Sequence, residues 1–343
     1  MAAGFKQATV NASDVPSTQS DFPSYVDLSR VGITTLAEAQ SVRVYSDSGK
    51  TTELAREIVS VTEMHVKIPS LTSSFTIYVD YDGVRSDYAV GDTYGRNAVW
   101  SDYDAVYHLQ EAVNNTSGGY KDSTGNGNDA TGNSMALTEV AGAFGGNGQD
   151  FDGSADYIDA PRSTSLNNPT TTNALTLSVW IRKDSASDSS QAYPISYGVN
   201  EWNIILGFTT NLFETYWNTI NIRNNLGATS STDWNYFVGS FDGTANTFLG
   251  YINNTQTTNI TETGNLAVRT GQGLGIGAYP SGANYFNGKI DELRIRSAAL
   301  SANWVTTEYN NQSDEATFWG TWTDAGGGGG YRYVPQLTPF AGL

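Results

Sequence analysis

The chain has 343 residues, a formal net charge of −17 and no cysteine. That charge, with a pI near 4.3, opposes binding to phosphate backbones and anionic lipid surfaces, which takes a basic stripe. The missing cysteines exclude disulfides, thiolate zinc sites and thiol nucleophiles, so packing, hydrogen bonds or oxygen-bound metal must hold each domain.

The length suits about two domains. Residues 1–10 show no charged region followed by a long apolar stretch, so they do not read as a secretory signal. No segment approaches the roughly 20 apolar residues of a membrane span, and no membrane insertion is expected. From Ser41 to Tyr81 apolar residues alternate with polar ones, the period of half-buried strands. Val42 and Val44 share one face; Met64, Val66 and Ile68 share another, with His65 and Lys67 opposite. Residues 74–81 form the clearest strand, and Asp82-Gly83 is a turn signal.

Residues 86–96 are mostly polar, carry two glycines and show no sustained alternation, so the break between domains falls there. The expected division is an N-terminal β-sandwich at 1–96, a second β domain at 97–312 and a C-terminal docking segment at 313–343. Strands are expected at 175–181, 234–240 and 247–252, with Trp180 and Trp234 in the core. One helix is expected at 301–309, with Ser301 as its cap and Trp304 as its anchor. Gly271, Gly273, Gly275 and Gly277 would bare one face of a strand for close packing. The turn after Gly277 rules out a dinucleotide fingerprint, which needs a helix there. The glycine run at 326–330 reads as a linker between two aromatic stretches.

Four segments carry a family likeness: Tyr107-His108-Leu109, residues 122–128 (DSTGNGN), residues 151–158 (FDGSADYI) and residues 288–295 (GKIDELRI). In that order they resemble the laminin G-like, concanavalin A-type jelly roll. Upstream, residues 22–28, 42–46, 66–70 and 77–81 are similar to a small β-sandwich domain of unknown function that often precedes such jelly rolls in surface and phage proteins. The fold implied is all-β, a small sandwich followed by a jelly roll. Such jelly rolls mostly bind glycans or proteins, often beside a calcium ion, and only some relatives are enzymes.

The loop from Asp122 to Asp129 gathers side-chain oxygens of the kind that calcium takes. It lacks the final Glu and the flanking helices of an EF-hand. The resemblance implies instead one structural Ca2+ held by Asp122, Asn126 and Asp291, with Glu292 a lesser candidate; an Asx loop satisfying its own backbone is the alternative. Asp152 and Asp156 shape a turn or serve as ligands. Aromatic residues in polar surroundings, Trp202, Tyr216, Trp217, Tyr279 and Tyr285, suit the apolar faces of sugars, and equally suit packing or a protein interface.

Catalysis has little support in these residues. Of the two histidines, His65 lies on a polar strand face and His108 belongs to a motif shared with noncatalytic relatives. There is no G-x-S-x-G elbow, and the Glu-x-Asp-x-x-Glu strand of the fold's glucanase branch is missing. The expected protein is a non-enzymatic component of a virion surface or tail appendage, made in the host cytoplasm or otherwise extracellular. It would contact copies of itself or neighbouring virion proteins and recognise a host glycan. A secreted or cell-surface glycan-active hydrolase and a pure assembly scaffold are the alternatives.

Overall fold

The computed structural model describes residues 3–185, 191–198, 201–206, 212–217, 222–228, 232–267 and 271–326. The N-terminal region is a sandwich of two antiparallel sheets. One runs in the order Thr323–Asp324, Gly4–Thr9, Thr76–Tyr81, Arg43–Tyr45, Glu53–Leu54; the other pairs Gln19–Asp27, Glu63–Leu71 and Arg56–Ile58. Alternation decides what lies between them: Met64, Val66 and Ile68 point into the same apolar cluster as Val44, Ile77 and Val79.

The second region is a larger sandwich. In one sheet the long strands Asn287–Arg296, Ala174–Lys183 and Asn235–Asp242 lie side by side. The facing sheet contains Tyr157–Ala160, Leu274–Ile276, Ala192–Tyr197 and Trp202–Leu206. Inward residues of both, including Leu177, Val179, Ile195, Ile276, Leu293 and Ile295, form one core. The expected glycine face is shortened: only Gly275 lies in the strand Leu274–Ile276, and Gly271 and Gly277 adopt φ +136 and +81 outside it, but the backbone still approaches closely. A Cβ on Gly273 would lie 2.0 Å from the Ala160 carbonyl oxygen, and one on Gly275 would lie 2.5 Å from that of Ala278.

Trp180 is buried, yet on the outer side of its sheet, under the helix Ala302–Ser313, where its indole nitrogen donates to Gln312 at 2.6 Å. Trp234 is only half-buried beside it. The helix begins where Ser301 caps it, its side chain accepting from the Trp304 backbone nitrogen. It runs to Ser313 rather than stopping at 309.

The C-terminal segment folds back on the chain's own N-terminal sandwich. Asn311 exchanges hydrogen bonds with the Tyr25 backbone at 2.6 and 3.0 Å. Phe318 and Trp319 enter the N-terminal core, each ring contributing about 2 to 3 kcal/mol of burial, and Thr323–Asp324 adds an edge strand beside Gly4–Thr9. Residues 327–343, with most of the glycine run, lie outside the described residues.

Glu315, on the short helix Glu315–Trp319, pairs with Arg30 at this junction. Burial outweighs the pairing and raises its carboxyl to about 7. The fold therefore holds a proton, from the ordinary glutamate range up to about pH 7, that the unfolded chain releases. This group's contribution to stability declines as pH rises through that window and is flat above it. Glu315→Gln should remove that part of the decline, on the order of 3 kcal/mol, in denaturant melts at pH 5 and pH 8. Parallel pH dependence in variant and parent would refute the assignment.

Candidate functional site at the domain interface

The polar face of the strand Glu63–Leu71 is not solvated. Glu63 and His65 are both 0 % exposed, because the second sandwich covers them. That sandwich contributes His108, just past the strand Ala105–Tyr107, and Glu292 from Asn287–Arg296. One ligand-type atom from each of Glu63, His65, His108 and Glu292 lies within 4.8 Å of the others.

A bulge brings Glu292 to this place. The register with Ala174–Lys183 shifts between Ser178 and Trp180, and Glu292 adopts φ +50, a left-handed conformation uncommon away from glycine. Ile290 and Leu293 stay in the core while Asp291 and Glu292 both face the interface. Such a conformation costs on the order of 1 to 3 kcal/mol and persists where surrounding contacts over-determine it.

The contacts are dense. His108 Nδ1 meets Glu292 and its Nε2 meets Glu57 at 3.0 Å. Glu57 also accepts from the Trp100 indole and, at 2.8 Å, from the Ser123 hydroxyl. His65 Nε2 lies 3.0 Å from Glu63, and its ring stacks on that of His108 at 4.8 Å. Arg294 donates to Glu292 at 2.8 Å and to Glu308 at 2.7 Å; Glu308 also accepts from Tyr236 at 2.6 Å.

Burial sorts the proton states. It pushes the carboxyls of Glu63 and Asp291 well above the usual range, with the charge of Glu292 adding to the shift in each. It drives His65 well below an ordinary imidazole. Burial acts the same way on His108, but Glu292 and Glu57 overcome it and raise that ring well above the ordinary value. Glu292, despite burial, is held low by His108 and Arg294. Among the described residues, three side-chain atoms here have no partner: Glu63 Oε2, His65 Nδ1 and Asp291 Oδ1.

Beside the cluster a cavity of about 370 Å³ opens between the domains, with His108, Glu57, Arg56, Arg96, Glu111 and Lys121 in its wall. Gln110 Nε2, Glu111 Oε2 and Arg96 Nε are buried there without partners.

The residues expected as ligands fall in different places. Asp122 is the hub of its loop, accepting from the backbone nitrogens of Val106, Thr124 and Asn128 and from the side chains of Thr124 and Asn128. Asn126 turns its amide toward the carbonyls of Tyr103 and Asp104. Asp291 is separate from that loop in its contacts and accepts from the Ala143 nitrogen at 2.7 Å. Calcium at Asp122 would compete with those donors.

Trp202 corrects the expectation of a sugar-facing plate. It is 1 % exposed and stacks on Tyr197 at 4.6 Å, inside the jelly-roll core. Glu201 just before it is itself 1 % exposed, so polar neighbours in sequence do not report the ring's surroundings. Tyr216 and Trp217 sit on the strand Leu212–Trp217, and their side chains lie outside the described residues.

Tyr279 and Tyr285 do come together. They flank a tight loop in which the Tyr279 nitrogen bonds the Ala283 carbonyl. Tyr279 packs edge-on to Tyr193 at 5.4 Å, and Tyr285 packs against Tyr157 at 6.2 Å. Tyr157, Tyr279 and Tyr285 are half-buried, and Asn284 between them is exposed. Gln191 bridges Asn284 at 3.4 Å and the Tyr193 hydroxyl at 3.2 Å.

Residues 152–306 match the model of the Concanavalin A-like lectin/glucanases superfamily, and this part of the chain is a laminin G-like, concanavalin A-type jelly roll preceded by an all-β region. No curated protein matches the chain. Among solved structures, the receptor binding domain of botulinum neurotoxin C/D mosaic serotype is 14% identical with a TM-score of 0.46, over 60% of this chain and 51% of that one. The binding domain of Paraclostridial Mosquitocidal Protein 1 is 15% identical with a TM-score of 0.47, over 59% and 52%. The chain thus spans about half the length of each.

Arg294 is 1 % exposed and holds two buried carboxylates. Arg294→Met should therefore lower stability by roughly 3 to 5 kcal/mol, since Glu292 and Glu308 would stay buried with one cation fewer. Chemical denaturation measures it; a loss below about 1 kcal/mol, the scale of a solvent-exposed pair, would show that water reaches the cluster.

Proposed function

We propose that the chain is a non-enzymatic binding protein whose jelly roll recognises carbohydrate through Tyr157, Tyr279 and Tyr285, with the buried Tyr193 supporting Tyr279 from behind. The observation that carries this reading is three partly exposed rings flanked by the amides of Asn284 and Gln191 on one loop cluster. A sugar ring offers C–H faces to an aromatic plate and hydroxyls to amide groups, so this surface fits it in both respects. Tyr216 and Trp217 extend the proposal on sequence grounds alone.

The finer part of the reading is an outward-facing component of a virion surface or tail appendage, contacting its own copies or neighbouring virion proteins. Its support is compositional: a cysteine-free, strongly acidic chain with 36 glycines and 20 tyrosines. Of the residues expected to hold a structural Ca2+, Asp122 and Asn126 share a loop while Asp291 lies apart from it, so a Ca2+ at that loop without Asp291 belongs to the same proposal.

A glycan-active hydrolase is the second reading, and the interdomain cavity favours it. Glu111 lines that cavity with one oxygen unpartnered, and burial raises its carboxyl, as a general acid requires. Turnover of a glycan that Glu111→Gln abolishes would establish this reading over the first.

Glycan-array binding of the whole protein tests the first reading. Tyr279→Ala and Tyr285→Ala should each weaken binding by about 10-fold or more, the scale of one lost aromatic contact, with melting temperatures near the parent's. Equal binding by parent and both variants would remove the patch from the site.

Assembly is tested by light scattering on the full chain and on a chain ending at Gly326. Residues 327–343 act as an assembly element if a large complex dissociates on truncation. A monomer in both forms refutes that role.

A further inference from the structure

The cluster at the domain interface is unusual in its donor chemistry. Two imidazoles and two carboxylates converge in a volume closed to solvent, and each domain supplies one of each kind: Glu63 and His65 from the first, His108 and Glu292 from the second. Among the described residues Glu63 Oε2 and His65 Nδ1 have no partner, although both residues are 0 % exposed. They are the far atoms of the two side chains; the near atoms, Glu63 Oε1 and His65 Nε2, are the ones that converge with His108 and Glu292. Hydrogen bonding thus leaves these two side chains short of a full complement, and an unmade bond at such a site costs roughly 1 to 3 kcal/mol.

We infer that Glu63, His65, His108 and Glu292 form a binding site for one divalent transition-metal ion of the zinc class, joining the two domains. Zinc takes nitrogen and carboxylate oxygen at about 2.0 to 2.2 Å in a tetrahedron, whose ligand atoms lie about 3.4 Å apart by simple geometry. In the cluster Glu63 Oε1 is 3.0 Å from His65 Nε2 and 3.8 Å from His108 Nδ1, and His65 Nε2 is 4.0 Å from Glu292 Oε1. These separations bracket the tetrahedral edge. Ligation asks the two stacked imidazoles to splay about χ2, a broad and soft torsion.

The outer contacts are those of a metal site. His108 turns its other nitrogen to Glu57 at 3.0 Å, the carboxylate–histidine–metal pattern that fixes ring orientation. Arg294 holds the far oxygen of Glu292 at 2.8 Å; the near oxygen meets His108 Nδ1, and the ion would replace the proton between these two ligand atoms. Two carboxylates neutralise a divalent cation, so the ion and its four ligands together carry no net charge. The set also differs from the oxygen loop around Asp122: imidazole ligands select zinc-like ions over calcium. Four protein ligands leave no open position, so the site is structural, and the adjoining cavity, which His108 lines, gives the ion an approach.

The test uses the full-length chain, stripped with chelator, dialysed and kept in excess calcium so that oxygen sites are filled. Zinc titrated against a chromophoric chelator should load one ion per chain and raise the melting temperature. Cobalt(II) in its place should give the intense visible bands of tetrahedral coordination. His65→Gln and Glu63→Gln should each weaken zinc binding by more than the roughly 10- to 100-fold that losing an outer hydrogen bond costs.

Failure of the folded parent to take up zinc, octahedral cobalt bands, or unchanged affinity in His65→Gln would each overturn the assignment, leaving an ion-pair lock without metal. Should His65→Gln not fold, X-ray absorption on the zinc-loaded parent decides. Two imidazole ligands sustain the site, and fewer overturn it.

Discussion

Burying charge between two domains is the constraint on which this architecture depends. Glu57, Glu63, His65, His108, Glu292, Arg294 and Glu308 are all under 10 % exposed, and an ion taken from water costs several kcal/mol unless matched. Arg294 matches Glu292 and Glu308 within the second sandwich, but Glu57 and His108 are matched only across the interface. Glu57 needs His108, Trp100 and Ser123 from beyond the 86–96 segment, and His108 needs Glu57 from before it. The domains therefore meet in one arrangement, because sliding either by a residue leaves carboxylates unpaired in a dry interface. Buried ion pairs are weak sources of net stability but strong determinants of register, and here the register is that of whole domains.

The helix Ala302–Ser313 completes the same logic. One side presents Glu308 to Arg294 and Tyr236 on the jelly roll; the other presents Trp304 and Asn311 to the N-terminal sandwich. The chain then continues into the first domain's core with Phe318 and Trp319 and ends its described course as that domain's edge strand. Closing an edge in this way also removes a row of unpaired backbone groups from solvent. The first and last described segments thus belong to one sheet, and the jelly roll is inserted between them.

Much of the fold is legible locally because alternation is a local signal. Residues 247–252 read as a strand and are one, Ser301 caps the helix it was expected to cap, and Val42, Val44, Met64, Val66 and Ile68 all face a core. The site was not legible by the same rule. Alternation puts Glu63, His65 and Lys67 on the face away from the core, which for an isolated sandwich means water. Docking of a second domain reverses that meaning for Glu63 and His65, while Lys67 reaches the rim and pairs with Asp102 at 2.9 Å. Two histidines in a chain so poor in them, both buried among carboxylates, were the signal available. Trp202 failed for the opposite reason: neighbouring polar residues in sequence say nothing about which way a strand residue points when the strand has just begun.

These features bear on how a binding role and a possible chemistry divide the molecule. In the cluster, His108 and Glu292 meet each other at one end and are held at the other by Glu57 and Arg294 respectively, and both are buried away from any substrate. Groups that react must be reachable, and the reachable ones line the cavity: Glu111, Gln110 and Arg96 retain unpartnered polar atoms. The tyrosine patch is different again, since its rings are fixed by one another and by a loop that its own backbone bonds and one from the Tyr193 nitrogen to the Asn284 carbonyl hold in place. Such a surface loses little freedom on meeting a ligand, which is the condition under which a small contact area yields useful affinity.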